Sequence, residues 1–216
     1  MNWLNKDIKF PDVSTANPDG LLAVGGDLSC DRLIEAYSNG IFPWFEMDEP
    51  ILWWSPDPRF VLFPSKLKVS KSMKQVLRNS NFVVTVNRDF KTVINHCSKI
   101  KRNGQEGTWI TKNMIEAYCK LHKLGYAKSV EVWQNNELVG GLYGVDLGNQ
   151  IFCGESMFSK VSNASKVAFV SFIQNTNYRL IDCQVHTSHL ESLGAEHISR
   201  KEFIKLLKLT KISKIE

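Results

Sequence analysis

The sequence predicts an α/β or α+β protein built on a mainly antiparallel sheet, and three observations carry that expectation. From about residue 58 onward, segments of helical period alternate with short runs of period two. Asn135-Asn136 stands between two such runs, where a tight hairpin turn needs residues tolerant of a left-handed backbone. Composition is ordinary for a globular chain, with 43% hydrophobic and 23% charged residues among 216, so a core can form without disulfides or a structural metal.

Taken in order, the first sixty residues are dense in turn chemistry. Asn17-Pro18-Asp19-Gly20 is a turn, and Gly25-Gly26 follows within a few residues. Ser29 caps a short helix with Leu33, Ala36 and Tyr37 on one face, and Gly40 sits where a left-handed C-terminal cap belongs. The run from Ile41 to Phe63 carries Pro43, Pro50, Pro56 and Pro58 and cannot be a regular helix. Residues 1–57 are therefore read as a small N-terminal domain and 58–216 as the larger one.

In the larger domain, Ser70 to Asn79 reads as a helix, Phe82 to Val86 as a strand and Asp89 to Ile100 as a helix. Thr111 caps a longer helix closed by Gly125. Ser129 to Gln134 and Glu137 to Val145 form the hairpin arms, and Gln150 to Cys153 is a third strand. A helix from Asn163 to about Gln174, a strand from Tyr178 to Val185 and two short helices follow. The last helix opens with the Ser199 and Glu202 spacing of a capping box.

Several function classes are disfavoured. The longest stretch free of Asp, Glu, Lys and Arg, Val167 to Tyr178, is well short of the roughly 20 apolar residues of a spanning helix. Met1 to Phe10 lacks the apolar core of a secretory signal, so a cytoplasmic location is expected. Cys30, Cys97, Cys119, Cys153 and Cys183 show no C-x-x-C pair and no matching histidine spacing, which speaks against zinc and for buried thiols. There is no Walker loop, dinucleotide fingerprint or nucleophile elbow.

The segments able to carry chemistry are few. Alternation along Leu180 to Val185 puts Asp182 and Gln184 on one face of a strand expected to be central. Burying them unpaired would cost about 2–7 kcal/mol each, so they bond to a substrate or to a core network. Glu155 follows the third strand and could accept a proton, hold an ammonium group or pair with a neighbour, while Gly154 and Gly140-Gly141 would allow a ligand close to the backbone. Met157, Phe169 and Phe172 fit an apolar pocket or plain core. Lys66, Lys68, Lys71, Lys74 and Arg78 fall in a stretch without an acid from Pro58 to Arg88. Lys71, Lys74 and Arg78 share a helix face, suited to phosphates or simply solvated. Lys99, Lys101 and Arg102 form a second basic group; Lys201, Lys205, Lys208, Lys211 and Lys214 read as the outer side of an amphipathic helix. The net charge of +5 permits a polyanionic partner.

A series of runs, in order along the chain, resembles the leucyl/phenylalanyl-tRNA-protein transferase family. They are Gly20-Leu-Leu-Ala-Val-Gly-Gly-Asp27, Gly40-Ile-Phe-Pro-Trp-Phe45, Leu52-Trp-Trp-Ser-Pro-Asp-Pro-Arg59, Glu106-Gly-Thr-Trp-Ile-Thr111 and Gly140-Gly-Leu-Tyr-Gly144. Phe152-Cys-Gly-Glu-Ser-Met-Phe-Ser159, Asn163-Ala-Ser-Lys166 and Ile181-Asp-Cys-Gln184 complete the set. The resemblance implies an α+β fold in which an acetyltransferase-like mixed sheet with flanking helices packs against a small N-terminal domain. It implies an enzyme moving leucine or phenylalanine, and methionine to a lesser extent, from aminoacyl-tRNA to proteins beginning with Arg or Lys, with no cofactor, metal or membrane.

By the same resemblance, Asp182, Gln184 and Glu155 form the polar centre. Trp44, Trp109, Leu142, Phe152, Met157, Phe169 and Phe172 match positions at the aminoacyl end, with Tyr118 and Ser159 nearby. Lys66, Lys71, Lys74 and Arg78 are the expected grip on tRNA phosphates. In the mechanism expected from these residues, Asp182 polarises Gln184, which orients the incoming amine while Glu155 holds or deprotonates it. The alternatives weighed are an acyl-CoA-dependent N-acetyltransferase, for which no Arg/Gln-x-x-Gly-x-Gly/Ala run is present, and a non-catalytic RNA-binding module.

Overall fold

The computed structural model describes residues 2–100 and 109–209. In the N-terminal part, β1 (Asn2–Leu4) lies parallel to β2 (Leu21–Gly25), and α1 spans Cys30–Ser38. β3 (Phe42–Pro43) and β4 (Leu52–Trp54) complete a four-stranded sheet of order β1-β2-β4-β3. The Ser29 hydroxyl accepts the Arg32 N–H and Gly40 has φ 73°, so both expected ends of α1 are present. The proline-punctuated run supports these strands through its tryptophans: the Trp53 indole N–H donates to the Gly25 carbonyl at 2.8 Å and that of Trp54 to the Trp44 carbonyl at 2.6 Å. Each bond gives a partly buried backbone carbonyl a donor.

The larger sheet begins with β5 (Arg59–Leu62), followed by α2 (Lys71–Asn79), β6 (Val83–Val86), α3 (Phe90–Cys97) and α4 (Lys112–Lys123). Then come β7 (Ala127–Gln134), β8 (Glu137–Asp146), β9 (Ile151–Ser159), α5 (Ala164–Gln174) and β10 (Leu180–Gln184). α6 (Ser188–Ser192), β11 (Glu196–Ile198) and α7 (Arg200–Lys208) close the described chain. The seven strands run β11-β5-β10-β9-β8-β7-β6 and are antiparallel except for β9 with β10. The expected α+β fold, a mixed sheet with flanking helices beside a small N-terminal sheet, is what the chain adopts.

Local chemistry accounts for the element ends. Ser70, Asp89, Thr111 and Ser199 each accept a first-turn N–H with their side chains, a contribution of about 1 kcal/mol per cap. Asn135 and Asn136 both have positive φ, 51° and 64°, as a two-residue hairpin turn requires. Three readings need correction. The helix begun at Asp89 ends at Cys97 rather than Ile100. The strand expected to stop at Cys153 runs on to Ser159, because it pairs with β8 as far as Gly140. Gly140 and Gly141 face no ligand: a Cβ on Gly140 would lie 2.5 Å from that of Ala164 in α5, and one on Gly141 would lie 2.6 Å from the Val130 carbonyl. They are packing glycines.

One continuous apolar cluster joins the two sheets. It includes Leu22, Tyr37, Phe42 and Trp53 from the N-terminal part with Tyr118, Tyr143, Ile151 and Leu180 from the larger one. A second cluster, on the opposite face of the large sheet, holds α5 against Val130, Leu142, Phe152, Ile181 and Cys183. β9 and β10 pair from Leu180 and Ile151 as far as Asp182 and Cys153; beyond that point β9 continues beside β8 without β10, and β10 is interrupted by a bulge between Asp182 and Gln184. Strands that part in this way open a cleft at their C-terminal ends. Lys201, Lys205 and Lys208 are exposed on α7, as expected, whereas Lys101, Arg102, Glu106, Lys211 and Lys214 lie outside the described residues. Among the described residues, no helix is long and apolar enough to cross a membrane.

Candidate active site

A cavity of about 390 Å³ occupies the place where β9 and β10 separate. Its polar wall comes from Glu155 on β9 and from Asp182 and Gln184 on β10. Asp182 is fully buried, at 0% exposure, and its carboxylate is gripped by Arg59, itself 1% exposed. Arg59 donates from Nε to Oδ1 at 2.8 Å and from Nη2 to Oδ2 at 2.6 Å, the bidentate fork of a strong charge-assisted pair. Burial opposes the charge on Arg59, but the Asp182 carboxylate beside it leaves its pKa above the usual value. The guanidinium also donates to the Gly40 carbonyl at 3.2 Å and is sandwiched between the rings of Phe42 and Phe203, at 4.7 and 4.6 Å.

This geometry corrects the expected polarisation of the Gln184 side chain by Asp182. What Asp182 Oδ1 accepts from Gln184 is its backbone N–H, at 3.0 Å. The Gln184 carboxamide turns instead to the other acid, donating from Nε2 to Glu155 Oε1 at 2.7 Å. Glu155 Oε2 accepts from the Tyr118 hydroxyl at 3.1 Å, and that hydroxyl in turn meets the Tyr37 hydroxyl in a short hydrogen bond.

Among the described residues, Glu155 is therefore a buried carboxylate without a cation in its hydrogen bonds. Burial is the largest influence on it and raises its pKa; hydrogen bonds from Tyr37, Tyr118 and Gln184 lower it, the Asp182 charge raises it, and the result is about 7. Burial, reinforced by the charge of Glu155, keeps the Tyr37 and Tyr118 hydroxyls well above their ordinary pKa, so they remain neutral donors. A buried acid need not belong to a site. Glu131 on β7 is also fully buried, yet Ser129 Oγ at 2.6 Å and Thr85 Oγ1 at 2.7 Å satisfy it away from the cavity. The thiols of Cys153 and Cys183 are pushed up by burial and are poor nucleophiles, as the reading of the cysteines expected.

The apolar wall brings together Trp44, Trp109, Leu142, Phe152, Met157 and Phe169. Three other residues expected at the aminoacyl end do not line the cavity. Tyr118 stands behind Glu155, and Phe172 packs edge-on to Phe152 at 4.7 Å. Ser159 is exposed at the far end of β9. Its hydroxyl accepts the Ser165 N–H at 3.2 Å and donates to the Val161 carbonyl at 2.8 Å, serving the start of α5, where Asn163 makes no side-chain cap. Lys71, Lys74 and Arg78 stand exposed on α2, and Lys66 is ion-paired with Glu196; none of the four lines the cavity.

Sequence reasoning did not single out Arg59, Tyr37 or His189. Arg59 ends one of the runs quoted above, but its partner is 123 residues away. His189 lines the cavity, and its Nε2 is buried without a partner among the described residues. Among the described residues, no group of three His, Cys, Asp or Glu side chains could hold a metal ion.

A family model described as leucyl/phenylalanyl-tRNA protein transferase matches residues 61–208, and one for the N-terminal domain of the same proteins matches residues 26–57. The chain belongs to this family. A leucyl/phenylalanyl-tRNA–protein transferase of Flavobacterium johnsoniae is 61% identical over 96% of this chain and 99% of its own length. Those of Flavobacterium psychrophilum and Syntrophus aciditrophicus are 57% and 58% identical, over 96% and 95% of this chain and 100% and 87% of their own. Among solved structures, a GCN5-related N-acetyltransferase from Kribbella flavida aligns over 76% of this chain and 58% of its own at 8% identity, with a TM-score of 0.36, too slight a likeness to argue from. As a member of the leucyl/phenylalanyl-tRNA protein transferase family the chain is a transferase, and several quoted runs reach the cavity. Gly40 to Phe45 supplies Phe42, Pro43 and Trp44, Gly140 to Gly144 supplies Leu142 and Tyr143, and Phe152 to Ser159 supplies Glu155 and Met157.

Proposed function

We propose that the protein transfers leucine or phenylalanine, and methionine to a lesser extent, from aminoacyl-tRNA to the N-terminal Arg or Lys of acceptor proteins. The reaction takes place in the cytoplasm and creates a degradation signal. The observation that carries this reading is a buried carboxylate with pKa about 7 in the wall of an apolar cavity large enough for such a side chain. An aminoacyl ester is already activated, so the chemistry requires no cofactor. What limits attack is the acceptor's terminal amine, whose pKa of about 7.7–8.0 leaves it mostly protonated at neutral pH.

In this reading Trp44 and Trp109, together with Leu142, Phe152, Met157 and Phe169, receive the aminoacyl end, with Phe172 supporting Phe152 from behind. Gln184 orients the amine beside the ester carbonyl, and Glu155 takes its proton with Tyr118 as a neutral hydrogen-bond donor. The amine nitrogen then forms the new C–N bond and the C–O bond to the tRNA breaks; of the two protons the ammonium nitrogen loses, one ends on the tRNA's terminal oxygen and the other passes through Glu155 to solvent. The small N-terminal unit, residues 1–57, contributes Trp44, and the unit from 58 to 216 contributes the polar groups.

Incubation with labelled leucyl-tRNA and an Arg-initiated peptide tests the reading: label is expected in the peptide, and its absence would overturn the proposal. The cavity also implies discrimination by fit. Valyl-tRNA should transfer roughly 10–200-fold less efficiently than leucyl-tRNA in kcat/KM, since one methylene in such a pocket is worth about 1–3 kcal/mol. Equal rates would show that the apolar wall does not select the side chain.

For the carrier, Lys71, Lys74 and Arg78 form an exposed basic stripe on α2 that we assign to tRNA phosphates; Lys66 joins them at the cost of its pairing with Glu196. The combined variant K71A/K74A/R78A is expected to lower the slope of log affinity against log salt by roughly 2–3, because each of the three cations withdrawn from a phosphate leaves a little under one counterion unreleased. An unchanged slope would return the stripe to an ordinary solvated face.

A further inference from the structure

We infer that Arg59 is a positioning residue for the transfer step. By clamping Asp182 it fixes the backbone turn at Gln184 that aims the carboxamide at Glu155. The inference deepens the proposed function and rests on the role given there to Gln184.

Gln184 has φ 64°, in the left-handed region that costs a residue with a Cβ about 1–2 kcal/mol. It sits on the bulge where β10 changes register against β5. A long polar side chain holds that conformation only when its surroundings impose it, and Asp182 does so. Its Oδ1 accepts the Gln184 N–H at 3.0 Å and the Arg59 Nε–H at 2.8 Å on the same oxygen. The first contact is an aspartate bonding the backbone two residues on, a local turn that Asn or Asp can offer. On its own such a carboxylate could rotate. Arg59 removes that freedom, because its planar fork occupies both oxygens at once.

The turn matters because of where it sends the side chain. With Nε2 tied to Glu155 Oε1 at 2.7 Å, the carbonyl oxygen of Gln184 carries no hydrogen bond among the described residues, and Gln184 lines the cavity. That oxygen is the acceptor available to an incoming amine. Arg59 also reaches the opposite wall, through the Gly40 carbonyl and the face of Phe42, two residues before Trp44. One buried guanidinium thus ties the wall that receives the aminoacyl end to the wall that presents the amine.

A charge partner that merely neutralised Asp182 would be replaceable by another cation. A positioning residue would not, since lysine keeps the charge and loses the fork. The test is therefore Arg59→Lys, assayed with leucyl-tRNA and an Arg-initiated peptide alongside the wild type. The expected result is a folded protein whose kcat falls about 100-fold while KM for leucyl-tRNA moves less than about 3-fold, the size of loss that a misplaced reacting group produces.

A folded R59K protein with wild-type kcat, or one whose whole loss lies in KM for leucyl-tRNA, overturns the inference while wild-type transfer leaves the functional reading standing. A wild type that transfers no leucine removes that reading, and this inference with it. Should R59K fail to fold, amide hydrogen exchange of the wild type decides. The Gln184 N–H is expected to exchange at least about 100-fold more slowly than that of exposed His186, as a buried amide held by a clamped acceptor should. Exchange at equal rates overturns the clamp.

Discussion

Replacing Glu155 by glutamine is expected to lower kcat for transfer about 10²–10⁴-fold, the range that a positioned general base contributes. The substitution keeps the shape of the side chain. A glutamine carbonyl can still accept from Gln184 Nε2, and its amide can face Tyr118, so the pair of contacts at 2.7 and 3.1 Å survives with the hydroxyl donor reversed. What disappears is the ability to take a proton.

The pH dependence separates this role from a passive one. Glu155 accepts a proton only when ionised, so wild-type kcat should rise through a pH of about 7 and level above it, whereas E155Q should lack that limb and rise only at the acceptor amine's own pKa of about 7.7–8.0. A limb near pH 7 that persists in E155Q would exclude Glu155 as the base.

Stability should move the opposite way. Burial raises the folded-state pKa from 4.5 to about 7, so between those values the folded protein holds a proton that the unfolded chain has released. Wild-type stability is therefore highest below the unfolded pKa and falls as pH climbs to about 7, by on the order of 3 kcal/mol. E155Q carries no such cost and should be more stable than wild type to urea at pH 8, with the difference shrinking at pH 4.5. A wild type equally stable at both values relative to E155Q would mean that Glu155 is not burdened by burial.

The features legible in the sequence were those set by local chemistry. Ser29, Thr111 and Ser199 cap helices where the pattern placed caps, Ser70 and Asp89 cap the helices it began with them, and Asn135-Asn136 turns as its residue types require. The strands of the N-terminal sheet were not legible. They are two to five residues long, and their pairing partners decide them. β5 escaped for the same reason: all four of its residues are buried between β11 and β10, an environment that no window around Arg59 discloses. β9 was cut short at Cys153 because Gly154, Glu155 and Ser156 interrupt its apolar pattern, and those residues are polar or small because they line the cavity.

The candidate site shows the same division. Period-two alternation put Asp182 and Gln184 on one face, but a bulge with positive φ at Gln184 interrupts that alternation between them, and the pattern said nothing of what each would touch. Their separation into an arginine-clamped acid and a glutamate-bound amide depends on Arg59 and Glu155, which lie 123 and 29 residues away in sequence. Conversely, Ser159 lay within a quoted run and was expected near the aminoacyl end, yet its position at the end of β9 makes it a support for α5.

Asp182→Ala should be the most destabilising of the single changes considered, because it strands a cation. Arg59 is 1% exposed and, among the described residues, has no second carboxylate in its hydrogen bonds, so removing Asp182 leaves a buried guanidinium with the Gly40 carbonyl and two aromatic faces from those residues. Breaking a buried pair from one side costs about 3–5 kcal/mol. The Gln184 N–H is deprived of its acceptor as well, about 1–3 kcal/mol more if it stays buried. Against a total stability of about 5–15 kcal/mol, D182A should unfold at a markedly lower urea concentration than wild type and transfer little leucine.

The double change R59M/D182L distinguishes stability from function. It replaces both charges with apolar groups and so removes the stranded cation, which should recover the part of the stability lost with the broken pair but not the part lost at the Gln184 N–H. Transfer should stay low, since nothing then holds the turn at Gln184. A D182A protein within about 1 kcal/mol of wild type would show that the buried cation finds relief elsewhere. A stable R59M/D182L protein with full activity would show that the carboxamide is aimed without either residue.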